Sequence, residues 1–562
     1  MNQKLKPKLF SVMKTYTKEQ FVKDVVAGII VAIIALPLSI ALAIASGVGP
    51  EAGIYTAIVA GFLVSFFGGS RVQIAGPTAA FATIVAGIVA TDGTEGLMIA
   101  TIMAGILLII MGLFQFGNLL KFIPFTITTG FTAGIAVTLF IGQIKDFAGI
   151  TYQHGEKPIE TIEKVEAIVM NLTTVHYQAI LIGLLALAIL IIWPKFFKKI
   201  PGSLVAVIVT ATVVEVFKLD VNTIGKAFAD IKTGLPKITL NWELFNVHMI
   251  RGQINNAVTI AILAGIESLL SAVVADTMIG SKHLSNMELI AQGIANIGSA
   301  SFGGIPATGA IARTAANIKN GGRTPVSGMV HSLSLVLVVL FMMPLAKLIP
   351  MPCIAAILFQ VAYNMSGWRN FVSLCKSSPR GDILVLVTTF TLTVIFDLVV
   401  AIEVGIVLAA ILFMKTMSDV TQVEGWREID EENDPESITL RQLPKRVMVY
   451  EISGPMFFAA AGKILNISLR DDTKVLVLRM RSVTAIDATA LRNLELLYES
   501  CEKKGIKLVF SHVNPQPMKT MKKARFDKKI GEANFLEHID EALERAEKLA
   551  QESEKTEHHK EK

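Results

Sequence analysis

Between Asp24 and Met417 the chain is a succession of apolar runs separated by short polar breaks, and a length of about 20 residues fits that pattern about fourteen times. The full-length runs include Val25 to Ser46, Leu97 to Phe116, Phe125 to Ile144, Ala179 to Phe197, Val330 to Ile349 and Ile383 to Phe396. Others are compressed, among them Ile54 to Phe67, Thr78 to Ala90, Leu289 to Phe302 and Thr308 to Ile318. After Met417 the pattern changes. An acidic stretch, residues 418–437, carries Glu424, Glu428, Asp430, Glu431, Glu432, Asp434 and Glu436 and reads as a linker. Strand-like runs (Val447 to Ile452, Val475 to Leu478, Ile506 to Phe510) then alternate with helical stretches (Ala490 to Lys504, Phe535 to Gln551), which predicts a small α/β domain over residues 438–551. Residues 552–562 are charged and without apolar period, so they read as a disordered tail. The whole divides into an N-terminal segment 1–23, a polytopic helical membrane domain 24–417, the linker, the α/β domain and the tail.

Composition supports the membrane reading. Of 562 residues 52% are hydrophobic and only 17% charged, where a soluble domain carries about 25% charge, and the mean hydropathy is +0.57. Cys353, Cys375 and Cys501 are too widely spaced for a thiolate metal site or a disulfide framework, so no metal and no cofactor is expected. A net charge of +6 suits loops facing an anionic leaflet and does not call for nucleic acid. Lys4, Lys6, Lys8, Lys14, Lys18 and Lys23 precede the first apolar run, which is longer than the core of a signal peptide, so it reads as a first span with its N-terminus inside. Lys195, Lys198 and Lys199, then Lys319 and Arg323, then Arg369, Lys376 and Arg380 follow even-numbered runs. The excess of positive charge inside therefore places both termini on the cytoplasmic side of the inner (plasma) membrane, with the loops Lys145 to His176 and Lys218 to Gln253 outside.

Chemistry enters at Glu267, a carboxylate in the apolar run Ala257 to Val274, where it costs at least a few kcal/mol unless it faces a cavity, carries a proton or holds a cation. A second signal is an internal repeat. Phe67-Gly68-Gly69 precedes Ser70 to Ala80, and Phe302-Gly303-Gly304 precedes Ile305 to Ala316; each copy is a Gly pair, a short extended piece and a short helix rich in Ala and Thr. They are the third and tenth runs, so with an odd number of spans per half the halves are inverted relative to each other, the arrangement that marks a transporter site at the midplane. Two half-helices starting near Thr78 and Ala312 would aim N–H groups at one point, each worth about 0.3 to 2 kcal/mol to an anion. Pro77, Thr78, Ala79, Ala310, Ala312 and Arg313 are the expected anion-binding residues, with Glu267, Ser271 and Thr308 on the coupling cation.

At these residues the chain resembles the SulP family of anion permeases. The likeness runs from Leu36-Pro37 and Gly47-Val48-Gly49-Pro50 through Gly76-Pro77-Thr78-Ala79-Ala80, Ile266-Glu267-Ser268-Leu269 and Ala312-Arg313-Thr314-Ala315 to a C-terminal domain similar to STAS domains. It implies 14 transmembrane segments as a seven-plus-seven inverted repeat of the uracil-permease type, core and gate subdomains, and a homodimer. The substrates it implies are sulfate, bicarbonate, other inorganic anions or dicarboxylates. Where many members carry Gln and an aromatic after the first-span Pro, this chain has Leu38 and Leu42; where sodium-coupled members tend to have Asp, it has Glu267. Both departures lean toward a less polar pocket and proton coupling.

The expected function is thus proton-coupled symport of sulfate or a C4-dicarboxylate across the lipid bilayer. The alternatives are sodium-coupled bicarbonate symport, with Na+ at Glu267 and Ser271, and an uncoupled anion channel or exchanger. A purely structural Glu267–Arg313 ion pair is the bland reading of those two residues. Asp276 falls on the opposite helix face from Glu267 and reads as a cap or surface charge, and Lys145-Asp146 as an interface anchor. His154, His176, His248, His283 and His331 lie scattered over loops and segment ends, with no nucleophile or metal-ligand spacing, which argues against an enzyme. In the α/β domain, Asp487-Ala488-Thr489 occupies the loop that carries a phosphorylated serine in some STAS proteins; with Ala488 at that position a cytosolic partner or dimer contact is favoured over a phosphoswitch, and Asp487 is expected to cap the next helix.

Overall fold

The computed structural model of the protein describes residues 5–117, 124–152, 158–197, 200–228, 234–240, 247–396, 398–425 and 443–560, in two compact units, Met1–Ile406 and Val407–Lys562. The first unit opens with α1 (Lys8–Val12), α2 (Lys18–Ala45) and α3 (Pro50–Phe67), followed by the two-residue strand β1 (Ala75–Gly76) and α4 (Ala79–Leu113). It continues with α5 (Phe125–Ala148), α6 (Thr161–Met170), α7 (Tyr177–Phe196), α8 (Gly202–Phe217) and the short α9 (Ile224–Ala227) and α10 (Val247–Gly252). Next come α11 (Ile254–Ile279), α12 (Ser285–Ser301), strand β2 (Thr308–Gly309), α13 (Ile311–Lys319), α14 (Val326–Met342), α15 (Met351–Ser366), α16 (Trp368–Ser377), α17 (Arg380–Ile395) and the start of α18 (Leu398–Val420), which continues into the second unit from Val407.

Among the described residues, α2, α3, α4, α5, α7, α11 and the Val400–Val420 part of α18 are long and apolar enough to cross a membrane, and α8 and α14 are shorter apolar helices. Leu181, Leu184 and Ile191 on α7 and Leu333, Leu337 and Phe341 on α14 stand exposed, as side chains facing acyl chains would. The runs read as Thr78 to Ala90 and Leu97 to Phe116 are one element, α4, broken at Gly93, whose φ of 69° no L side chain adopts cheaply. The runs Leu289 to Phe302 and Thr308 to Ile318 become α12 and α13.

Small residues set the helix spacing. Gly105 and Gly112 on α4 lie one above the other against α12: a Cβ on Gly105 would sit 2.7 Å from the Gly293 carbonyl, and one on Gly112 2.7 Å from that of Asn286. Gly293 reciprocates, since a Cβ there would collide with the Gly105 carbonyl, so backbones touch and dispersion rather than the hydrophobic effect holds the pair in lipid. At the end of the helices near residue 24, the fully buried Asp24 gathers the chain. Its Oδ1 accepts from Arg323 N (2.9 Å) and Gln20 Nε2 (3.0 Å), and its Oδ2 from Thr324 Oγ1 (2.5 Å) and the Tyr16 hydroxyl (3.1 Å). Burial, with Asp24 adding to it, pushes the Tyr16 phenol up to about 12.

In the second unit, β3 (Gln422–Gly425), β4 (Val447–Ser453), α19 (Phe458–Ala461), β5 (Val475–Ser482), α20 (Ala488–Lys503), β6 (Lys507–Ser511), α21 (Pro515–Lys523), α22 (Phe526–Ile530), β7 (Phe535–Leu536) and α23 (Ile539–Lys560) follow in order. The sheet runs β3-β4-β5-β6-β7, antiparallel only at β3. Strand alternation splits its core. Ile452, Leu476, Leu478 and Phe510 face one side with Leu494 and Leu497 of α20, and Val447, Val449, Val475, Val477 and Val509 face Ala542, Leu543 and Ala546 of α23 on the other.

Two boundaries differ from the sequence reading. The start of the linker, Gln422–Gly425, is an edge strand, with Val423 packed on the core below β4. Residues 426–442 of the linker and adjoining chain lie outside the described residues, as does His154. The tail read as disordered is the last part of α23, because residues 552–560 contain no Gly or Pro to stop a helix nucleated by its buried face upstream.

Replacing Asp24 by Ala strands buried donors of Arg323, Thr324 and Gln20, and should lower stability by roughly 2–4 kcal/mol, read as a lower thermal midpoint in detergent. Tyr16 contributes below the ordinary phenol value of 10, and that contribution fades as pH rises toward about 12. Tyr16→Phe should therefore flatten the loss of stability between those values, measured by thermal melts at alkaline pH.

Candidate functional site

Two extended segments from opposite halves of the chain cross at β1 and β2. Ala75 pairs with Gly309 and Gly76 with Thr308, antiparallel, and Ala310 N donates to the Ile74 carbonyl at 2.9 Å. Both strands are fully buried, so every peptide group around them needs a partner. Side chains supply them. Asn296 both donates to the Ala307 carbonyl and accepts from Ala307 N, each at 2.9 Å. Thr56 Oγ1 accepts from Ile305 N (2.7 Å), Thr314 Oγ1 from Ile74 N (3.1 Å), and Asn317 Nδ2 donates to the Val72 carbonyl (2.9 Å).

From the crossing each chain enters a helix. Thr78 precedes α4 and Ala310 precedes α13, and neither side chain caps the helix it starts. The first-turn N–H groups of Ala79, Ala80, Ile311 and Ala312 have no carbonyl one turn back within their helices, so both positive dipole ends stay uncovered. Pro77 holds the approach to α4 extended. Ala79 and Ala310 are buried, whereas Ile311 and Ala312 are exposed at the start of α13.

Glu267 stands beside this crossing on α11, which packs against α4, α13 and β2. The hydroxyl that α4 does not use as a cap reaches it: Thr78 Oγ1 donates to Glu267 Oε2 at 2.9 Å. One residue on, Ser268 Oγ accepts from Gly309 N (3.1 Å) and donates to Thr308 Oγ1 (2.7 Å), since the Thr308 hydroxyl is itself given to the Ala264 carbonyl (3.2 Å). Ser271, expected beside Glu267, instead meets Thr314 Oγ1 at 3.4 Å, one turn into α13. The hydroxyl joined to Thr308 is thus that of Ser268, while Ser271 reaches Thr314 of α13.

Arg313 and Glu267, both among the described residues, form no ion pair within 4.0 Å, which sets aside the bland reading of those residues. Arg313 is 1% exposed, and its Nη2 donates to Ser39 Oγ of α2 and to the Pro77 carbonyl, both at 3.2 Å. Its Nε and Nη1 are buried with no partner, and Nη1 rests on Gly76, where an added Cβ would collide with it. Gln73, packed under Gly309, and His331 are likewise buried without side-chain partners. His331 is not at a segment end, as the sequence suggested, but fully buried within α14. Asp276 caps the far end of α11 through His283 (Nδ1 at 2.7 Å), and Asp487 caps α20 at Ala490 N (2.8 Å) while also accepting from Phe458 N (2.8 Å). Ala488 and Thr489 are exposed.

Sequence reasoning missed Ser39, Thr56, Ser268, Asn296 and Asn317. Each is a polar residue inside or at the end of an apolar run, and that was the available signal.

Apolar spans, two crossed broken segments and a C-terminal α/β domain define a multi-pass membrane transporter. The chain belongs to the sulfate permease family: that family's model matches residues 21–389, and the STAS domain model matches residues 440–545. It is therefore an anion transporter rather than an enzyme. Over 532 residues it is 40% identical to a Bacillus subtilis (strain 168) protein named "Putative sulfate transporter YvdB", covering 94% of this chain and 98% of that one. It is 30% identical over 515 residues to the bicarbonate transporter BicA of Synechocystis, covering 89% of each. The murine solute carrier 26 family member A9 shares the fold, with a TM-score of 0.85 at 17% identity over 96% of this chain and 94% of that one.

Gly76→Ala forces its Cβ onto Arg313 Nη1 and should cost about 1–3 kcal/mol of stability while displacing the guanidinium from Ser39 and Pro77. Thermal unfolding and a structure of the variant check both.

Proposed function

We propose that the protein is a secondary active symporter that carries a small oxyanion together with a proton by alternating access. The spans form a seven-plus-seven inverted repeat, with core and gate subdomains, in a homodimer whose termini are cytoplasmic. The observation that carries this reading is the meeting of two uncapped helix N-termini with a carboxylate: Thr78 starts α4 and its hydroxyl is already committed to Glu267.

The anion sits at Pro77, Thr78, Ala79, Ala310 and Ala312, on first-turn N–H groups, with Arg313 behind β1 as the source of positive potential. A charged Glu267 repels that anion. A proton on Glu267 removes the repulsion and leaves Thr78 free to turn toward substrate, so proton and anion bind together. Sodium coupling, the second reading, would need several oxygens on one cation, drawn from Glu267 and the neighbouring Ser271 hydroxyl. Sulfate and bicarbonate are the first substrates to test, given the relatives, and a C4-dicarboxylate the next, given Leu38 and Leu42 near the pocket. The STAS loop, with Ala488 and Thr489 exposed and Asp487 occupied as a cap, serves partner or dimer contact.

Uptake of sulfate, bicarbonate and fumarate into proteoliposomes should rise with an inward proton gradient, and Glu267→Gln should abolish that dependence. Gradient-independent uptake by the unaltered protein would overturn coupling. Arg313→Ala should weaken anion binding by roughly 30-fold or more, and Thr78→Val by no more than about fivefold, because backbone donors remain.

A further inference from the structure

The segment between α15 and α17 reads in sequence as a basic connection, yet it folds as the ten-residue helix α16. Gly367, at φ 51°, turns the chain sharply out of α15, and Pro379 begins the next turn into α17. At 100° per residue, Trp368, Phe371, Val372, Leu374 and Cys375 share one face, while Arg369, Ser373, Lys376 and Ser377 share the other.

Only part of the apolar face is used inside the protein. The Phe371 ring packs on Phe390 of α17, with centroids 5.2 Å apart. Trp368 is 47% exposed and Val372 40%, beside Tyr363, whose hydroxyl accepts from Trp368 Nε1 at 3.4 Å and whose side chain is also exposed. Arg369 lies over the Trp368 ring, 5.5 Å from its centroid. Arg369, Lys376 and Arg380 are all exposed, against one carboxylate, Asp382, over residues 363–382.

An aromatic pair with polar tips, an uncovered apolar edge and a cationic rim, on a short helix between two helices of the membrane unit, match the chemistry of a bilayer's headgroup layer. A soluble protein surface would offer no reason for indole and phenol to stand exposed next to three cations. We propose that α16 lies in the membrane interface and binds anionic phospholipid headgroups through Arg369, Lys376 and Arg380, with Trp368 and Val372 inserted at the level of the upper acyl chains. Each cation near an anionic leaflet is worth roughly a fivefold gain in partition, so the three together decide which lipids collect beside α16.

The test uses the full chain in vesicles of phosphatidylglycerol, with Trp193, Trp242 and Trp426 replaced by Phe so that Trp368 reports alone. Brominated phosphatidylglycerol should quench about half or more of the emission, and aqueous iodide little of it. Strong iodide quenching without bromolipid quenching would place the helix in water and overturn the proposal; protection from both would assign the face to a second copy or another protein and overturn it as well. If the triple Phe variant does not fold, the unaltered tryptophans are kept and thermal midpoints compared in nanodiscs of phosphatidylcholine with and without phosphatidylglycerol. Phosphatidylglycerol should raise the midpoint, and R369Q/K376Q/R380Q should lose most of that rise, whereas replacing Lys503, Lys504 and Lys507 of the STAS domain by Gln should keep it. Retention of the full rise in the α16 variant overturns the proposal.

Discussion

Peptide groups that leave a helix inside a bilayer must find partners within the protein, and this requirement organises the whole membrane unit. The segments around β1 and β2 leave the helical state where water is scarce. They pair with each other and draw in Asn296, Thr56, Thr314 and Asn317, while the first turns of α4 and α13 remain open. The arrangement is asymmetric by necessity: backbone along the strands is satisfied, backbone at the helix starts is available. Two open helix starts are what remains when that accounting is complete. The glycines serve the same end, since Gly76 and Gly309 leave room for the Arg313 and Gln73 side chains against the strands.

The charges near the site are handled in different ways. Arg313 is buried, yet it is held by a hydroxyl and a carbonyl rather than by a carboxylate, so its positive field is not cancelled at close range. Glu267 is held by a hydroxyl rather than by a cation. Had the two paired, each would have neutralised the other at close range; kept apart, each retains its own field.

How much of this could be read from residues alone depended on which physical rule wrote the signal. Hydrophobic run length is written directly, so spans such as α5 and α7 were legible to within a few residues, whereas α2 begins at Lys18, well before the apolar run read from Val25. The two Gly-rich extended pieces were legible because Gly and Pro break helices locally, and Glu267 because a carboxylate among apolar residues is costly. Partner choice was not legible. Ser268 and Ser271 are both small hydroxyls on α11, and only the register of α11 against β2 and α13 decides that the first meets Thr308 and the second Thr314. Arg313 could equally reach forward to a carboxylate or back to Ser39, a choice set by where α2 runs. Helix α16 was hidden because a short amphipathic stretch with three cations looks like a loop when only apolar run length is scored, and the end of α23 because charge without period is ambiguous between coil and an exposed helix end.

The pairing of β1 with β2 also bears on how the chain is made. The peptide groups of Ile74, Ala75 and Gly76 find their partners in residues 308–310 and in Thr314. A ribosome delivers those partners only after several further spans have been synthesised. During that interval the first broken segment has to wait in a hydrated or shielded place, because lipid offers it nothing to bond to. Insertion of this protein therefore cannot be complete span by span: the segment at β1 settles only when the segment at β2 arrives.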